Sequence, residues 1–453
     1  MSEELQSSQS GTTVVADLLD RSPFSALQWR VVLLCGGVAV LDGMDLQSIG
    51  LAAPSMAAAL KIEPHAFGFV FSAALLGLMF GSAVFGPLAD RVGRRRILIL
   101  STAMFGVFTV LTALAQDLTS LLLIRFLTGL GLGGATPSFV SLTSEYAPLR
   151  LRRLVVVLLW AGIPLGGALG GALASQIIPT LGWRALFFVG GGLPIALSAV
   201  LLLLLPESLN FLMTSDAGAD RIFSILRRIA PSHPRQRHYV LGEPKLVGTP
   251  MRQLFADGRG FGTVLVWGLF FLLFLVLVTN TAWSPTLLSR SGLAPAQIGW
   301  IMAASNGGAV LGALLIGLLM QRNRPYQVLT AALVAGGLCF TLFGLALPSF
   351  GLVSLLQGVV QLLVGGSASG AVAVAAMLYP TNVRSTGVGW ATGFGRLGSF
   401  FGPLAAGALV TAHVTTGVVY AALGVLGGGA ALFVLMLGRE QHRRGMTSRT
   451  ASG

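Results

Sequence analysis

Charge is scarce in this sequence: only 10% of its 453 residues are charged, against about 25% in soluble domains. Lysine is all but missing, with Lys61 and Lys245 alone, and no acidic residue occurs between Gly258 and Arg439. The two cysteines, Cys35 and Cys339, lie in apolar runs, so no disulfide framework is implied. No Gly-Lys-Ser/Thr follows a glycine-rich stretch, which leaves ATP drive without support. Neither a nucleophile–base pair nor a metal-ligating cluster is evident, so no enzyme, metal or other cofactor is expected. The N-terminal stretch to Arg30 is polar and lacks an apolar core with a cleavage site, so no signal peptide is expected.

Apolar sequence is what abounds, at 54% of the chain. Runs long enough to cross a bilayer fall at about 29–53, 67–88, 97–115, 120–142, 154–176 and 184–205. Six more fall at about 261–285, 297–320, 326–347, 350–377, 385–410 and 415–438. The expected fold is an all-α polytopic membrane protein, with twelve transmembrane helices in two six-helix repeats. Its expected parts are a cytoplasmic tail (1–28), an N-terminal six-helix bundle (29–205), a cytoplasmic central loop (206–260), a C-terminal six-helix bundle (261–438) and a cytoplasmic tail (439–453).

Net charge is +13, nearly all of it arginine. Only Lys61, Arg184 and Arg290 fall in the outer loops and only Arg125 and Arg396 inside spans; the other basic residues lie on the side of the termini. This is the positive-inside asymmetry, which places both termini in the cytoplasm and explains the charge without nucleic acid. The halves also repeat. Gly77, Gly81, Gly86 and Arg91 recur 231 residues later as Gly308, Gly312, Gly317 and Arg322. Parallel repeats of this kind build many secondary transporters, with substrate held near the midplane between them.

The loop after the second span reads Gly86-Pro-Leu-Ala-Asp-Arg-Val-Gly-Arg-Arg-Arg96. Its Gly-x-x-x-Asp-Arg-x-Gly-Arg-Arg pattern between two spans resembles the signature of the major facilitator superfamily, and the likeness extends over the whole chain. The matching loop of the second half, Gln321-Arg322-Asn323-Arg324, lacks the acid. Asp42-Gly43-Met44-Asp45 resembles the Asp-Gly-x-Asp signature of the aromatic acid:proton symporters within that superfamily. So do the stretches Arg125–Gly134, Pro206-Glu-Ser208, Arg384–Trp390 and Gly395–Gly398, while Asn280–Pro285 matches in part, with Ala282 where relatives often carry Asn. The resemblance implies import of benzoate-, hydroxybenzoate- or phenylpropionate-type acids into bacteria with protons.

The residues point the same way. A carboxylate at the centre of a membrane helix costs about 2.5–3.5 kcal/mol on insertion scales, and Asp42 and Asp45 are the only acids deep in a span. Spaced i, i+3, they share a helix face. The histidines lie outside the spans or near their ends, so if the chain couples to protons, these two carry them. Two carboxylates so close in a poorly solvated site do not both ionise easily. The alternative is a brace for a helix break beside Gly43. Guanidinium groups match carboxylates in bidentate geometry. Arg125 is therefore open to Asp45 or to a substrate anion, and Arg396, in the acid-free half, is the first choice for a substrate carboxylate.

Trp160, Trp390 and Phe394 are candidates to flank the ring, and Asn280, Asn306 and Gln361 to read ring hydroxyls; packing and interhelical hydrogen bonds use the same residue types. Asp90, Arg91, Arg94, Glu145 and Arg384 are candidates for an inner-face latch or gate. The expected function is secondary active import of a small aromatic carboxylate by proton symport with alternating access. The expected setting is a bacterial cytoplasmic (inner) membrane, with substrate, protons and the lipid bilayer as partners, no nucleic acid, and a monomeric chain. The rivals are an efflux antiporter of organic anions or drugs and a transporter-like receptor, for which the central loop and tails look short.

Overall fold

The computed structural model describes residues 12–214, 218–230, 238–240, 251–256, 258–380 and 383–450. The ends of both expected tails and parts of the expected central loop lie outside the described residues. The first six long helices are α1 (Ala26–Leu60), α2 (Phe67–Val92), α3 (Arg94–Thr112), α4 (Leu118–Tyr146), α5 (Leu149–Leu181) and α6 (Trp183–Leu204). The second six are α7 (Gly260–Arg290), α8 (Pro295–Arg322), α9 (Pro325–Ala346), α10 (Phe350–Leu378), α11 (Arg384–Thr411) and α12 (Thr416–Thr450). Several outrun the apolar stretches because polar residues cap their ends. Ser25 and Gln28 form a capping box at the start of α1, and Asp117 and Ser120 do so for α4.

Among the described residues, eleven helices are long and apolar enough to cross a membrane. The exception is α11. It has 28 residues, but Arg396, glycines and hydroxyl side chains lower its hydropathy, as suits a helix bordered by protein. α10 is also irregular, with a π-helical segment at Gln361–Gly365.

Glycine sets how closely the helices meet. A Cβ at Gly77 or Gly81 of α2 would run into the α4 backbone at Phe126 and Leu130. A Cβ at Gly308 or Gly312 of α8 would run into the α10 backbone at Gly358 and Leu362. The 231-residue repeat is thus a repeat of packing, α2 on α4 and α8 on α10. Between the halves, Gly171 of α5 meets Gly299 and Ala303 of α8, Gly68 of α2 meets Pro403 of α11, and Gly50 of α1 meets Ala282 of α7. These approaches lie toward the face away from the termini, the outer face below.

On the inner face, described parts of the N-terminal tail and of the central stretch form secondary structure. Short helices at Val15–Arg21, Leu209–Thr214 and Gly218–Ile229 bury Leu19, Leu212, Ile222 and Leu226 in one cluster with the inner ends of α1, α3 and α4. Thr12–Val14 pairs in parallel with His238–Val240. Gly218–Ile229 is amphipathic, its apolar side inward and Arg221, Arg227 and Arg228 exposed.

Candidate functional site

Asp45 and Arg125 are fully enclosed in the first half, at 1% and 0% exposure. Arg125 Nη2 lies 3.0 Å from Asp45 Oδ2 and Nη1 lies 3.3 Å from Oδ1, the forked geometry of a guanidinium on a carboxylate. Thr109 of α3 donates its hydroxyl to Asp45 Oδ1 at 2.6 Å. Three helices thus close around one neutralised pair. Of the two partners open to Arg125 in the sequence, the structure pairs it with Asp45.

Asp42 differs. It is 2% exposed, accepts only the Thr136 hydroxyl at 3.4 Å on Oδ2, and its Oδ1 has no hydrogen-bond partner. Two charges act on it, the neighbouring Asp45 first and, more weakly, Arg396 on α11 of the other half. Arg396 is partly buried and donates to Ser82 Oγ of α2 at 3.1 Å. Asp42 and Arg396 thus belong to opposite halves and make no direct ion pair with each other among the described residues. Gly43 between the two acids is no helix break: α1 continues through it, and a Cβ there would strike the Ile163 backbone of α5. Gly166 likewise lets α5 meet α1 at Val40.

The expected ring and hydroxyl contacts are more dispersed. Phe394 stacks on Trp267 of α7 with ring centroids 4.1 Å apart, and Trp390 lies 6.2 Å from the same ring. At about 100° per residue, Phe394 and Trp390 stand roughly 160° and 120° around α11 from Arg396. They pack α11 onto α7 and do not share the face of Arg396. Phe400, one turn outward of Arg396, does share it, and its carbonyl accepts from Ser72 of α2 at 2.8 Å. Trp160 is 51% exposed, on the stripe of α5 that bears Gly167 and Gly171 and inward of them.

Asn306 donates to Gln47 Oε1 of α1 at 3.0 Å, bridging the halves beside Gly167. Asn280 accepts from Ser284 Oγ at 2.9 Å, and Tyr420 donates to that hydroxyl at 3.0 Å and Gln357 at 3.4 Å. Asn280 thus belongs to a buried network inside the second half. Gln361 opens the π-helical segment, and its Oε1 is buried without a partner. Sequence reading missed Thr109, Thr136, Ser82, Gln47, Ser284, Gln357 and Tyr420, because isolated hydroxyls and amides carry no signal until the helices are assembled.

The inner latch forms within the first half. Arg94 bonds Asp90 at 2.9 Å and also Glu145. Glu145 accepts from Ser208 Oγ at 2.7 Å and from the Asn210 amide at 3.2 Å. Glu207, unforeseen, accepts from the Arg95 and Ser208 amides at 3.0 Å each. Gly93, at φ 111°, turns the loop beside Glu207, where a side chain would be strained. Arg91 is exposed, and Arg384 donates to Tyr379 O at 3.4 Å in its own half.

The Major Facilitator Superfamily model matches residues 35–294 and 265–452. The 4-hydroxybenzoate transporter PcaK of Pseudomonas putida is 37% identical over 88% of this chain and 90% of its own length. The 3-(3-hydroxy-phenyl)propionate transporter of Escherichia coli K12 is 38% identical over 90% of this chain and 94% of its own. A crystal structure of the D-xylose-proton symporter superposes with a TM-score of 0.70 at 19% identity, covering 90% of this chain and 97% of that one, which shows the shared fold. With two packing repeats, a neutralised pair in one half and an arginine in another half whose single span acid, Glu440, sits at the inner end of α12, the chain belongs to the major facilitator superfamily, as one of its aromatic-acid transporters.

Proposed function

We propose that this transporter imports a single-ring aromatic carboxylate with a proton, by alternating access, in a bacterial cytoplasmic membrane with both termini inside and the chain monomeric. The observation that carries the reading is Asp42: buried, with one oxygen unpaired, and within electrostatic influence of Arg396 on the other half. Asp45 is already matched by Arg125 and Thr109, so Asp42 is the proton carrier. While Asp42 is ionised, it competes with a substrate anion for Arg396. Protonation removes the competitor, and Arg396 then takes the substrate carboxylate, with Phe400 beside it for the ring. Loss of the proton to the inner side restores the competition and expels the substrate. Relatives named for 4-hydroxybenzoate and for 3-(3-hydroxy-phenyl)propionate support the ligand class.

The energetics suit an importer. An anion entering against 100 mV costs about 2.3 kcal/mol, which one proton cancels. Each unit of pH difference then adds about 1.4 kcal/mol, or roughly tenfold accumulation. The test is uptake of labelled 4-hydroxybenzoate into right-side-out vesicles with the outside acidified. Wild type should concentrate the acid in step with the pH difference. Asp42→Asn should insert and equilibrate the acid without concentrating it. Undiminished accumulation by Asp42→Asn would sink the mechanism, and gradient-driven expulsion by wild type would favour the antiporter.

A further inference from the structure

The outer face bears a cleft over the point where the halves meet. Its volume is about 160 Å³, and its lining includes Ala53 and Pro54 of α1, Phe67 at the start of α2, and Thr286, Ser289 and Arg290 at the end of α7. Both halves contribute walls. Below it Gly50 of α1 presses on the α7 backbone at Thr281 and Ala282, and Phe67 leads inward to Phe71, which packs edge-on against Trp283 at 5.7 Å between centroids. The cleft therefore sits on a closed aromatic plug. Ala53 lies eight residues, about 12 Å, outward of Asp45 along α1.

Its chemistry is selective. Thr286 is 6% exposed, and its Oγ1 is buried without a hydrogen-bond partner although it lines the cleft. Arg290 is exposed at the rim and makes no ion pair or hydrogen bond among the described residues. It is one of only three basic residues in the outer loops, with Lys61 and Arg184. Arg184 is engaged elsewhere, donating to Ala113 O at 3.1 Å and lying over the Trp183 ring. Apart from Ser289, the remaining walls are apolar. A free guanidinium, an unsatisfied hydroxyl and an apolar, aromatic-floored wall match a small carboxylate on one ring. Its volume, below the roughly 300–1,000 Å³ of sites for drug-sized ligands, is of the order of a single ring.

We infer that this cleft is an outer staging site, where the aromatic acid binds by its carboxylate to Arg290 and Thr286 before the plug opens. The inference rests on the import of an aromatic carboxylate proposed above. When α1 and α7 separate on the outer side, the floor parts and the acid passes inward toward Arg396. Occupancy of the cleft raises the local supply of substrate to the central site at low external concentration.

The test is initial-rate uptake of labelled 4-hydroxybenzoate by vesicles, across a concentration series, for wild type, Arg290→Gln, Arg290→Lys, Thr286→Val and Arg184→Gln. Arg290→Gln and Thr286→Val should each raise KM by about threefold, the order of a partly solvated charged contact, with a smaller effect on the maximal rate. Arg290→Lys should recover most of the KM, and Arg184→Gln should leave it at the wild-type value. A KM unchanged in both Arg290→Gln and Thr286→Val overturns the staging site, as does an equal rise in Arg184→Gln, which would mean general surface attraction. Wild type that takes up no aromatic acid overturns the substrate reading itself, so the two failures are distinguishable.

Discussion

Asp42 and Asp45 stand three residues apart with the same side chain, and their surroundings give them different chemistry. Asp45 is held by Arg125 and Thr109, whereas Asp42 keeps an oxygen without a partner. Removing one member of a buried pair strands the other charge and typically costs 3–5 kcal/mol, while replacing both by neutral groups is often close to neutral. Asp45→Asn alone should therefore lower the membrane yield and melting temperature, and Asp45→Asn with Arg125→Gln should recover much of both, as read by thermal unfolding in detergent. A double variant as unstable as the single one would show that the pair is not acting as a unit. The spacing of the two acids was legible in the sequence. Which of them was neutralised was not, because that depends on hydroxyls and a guanidinium brought in by α3 and α4.

Among the helices, the repeat predicts more contacts than the structure makes. Four residues recur at the 231-residue offset, yet only Gly77, Gly81, Gly308 and Gly312 press on a neighbouring backbone; Gly86 and Gly317 face open space. Gly77→Ala and Gly308→Ala should each destabilise by about 1–3 kcal/mol through overpacking. Gly86→Ala should be neutral or slightly stabilising, since alanine is the better helix former by about 1 kcal/mol. Thermal unfolding of the three variants checks the division. A second asymmetry lies between α4 and α10. Where the first half has Arg125 on Asp45, α10 brings Gln357 to Ser284 and Asn280 of α7, a neutral network at a comparable place. The sequence carries no acid between Gly258 and Arg439, and the packing shows amides and hydroxyls filling the corresponding interior.

At the scale of the molecule, the closest approaches between halves gather on the outer side, at Gly50, Gly68, Gly171 and Gly299. The halves thus meet on the outer side, and the alternating access proposed above requires these seams to part. A Cβ at Gly171 would already lie 2.8 Å from the Gly299 carbonyl and the Ala303 amide. Gly171→Leu should therefore hold α5 off α8 and favour the outward-open state. A cysteine at Ala282, 9% exposed against Gly50, should then react with a membrane-impermeant maleimide from outside. Labelling no faster than in the Gly171 parent would argue against rigid rocking about this seam.

The sequence by itself determined the class of fold, the repeat, and the small set of charges inside the membrane. Those follow from composition and spacing, which bilayer thickness and the cost of a buried charge translate directly into structure. Only the tertiary structure decided that Arg125 belongs to Asp45, that Asp42 keeps an oxygen to spare, and that Trp390 and Phe394 turn away from Arg396. Each of these depends on the rotation and contact of helices distant in sequence, and no periodicity along a single span encodes which neighbour a side chain will meet.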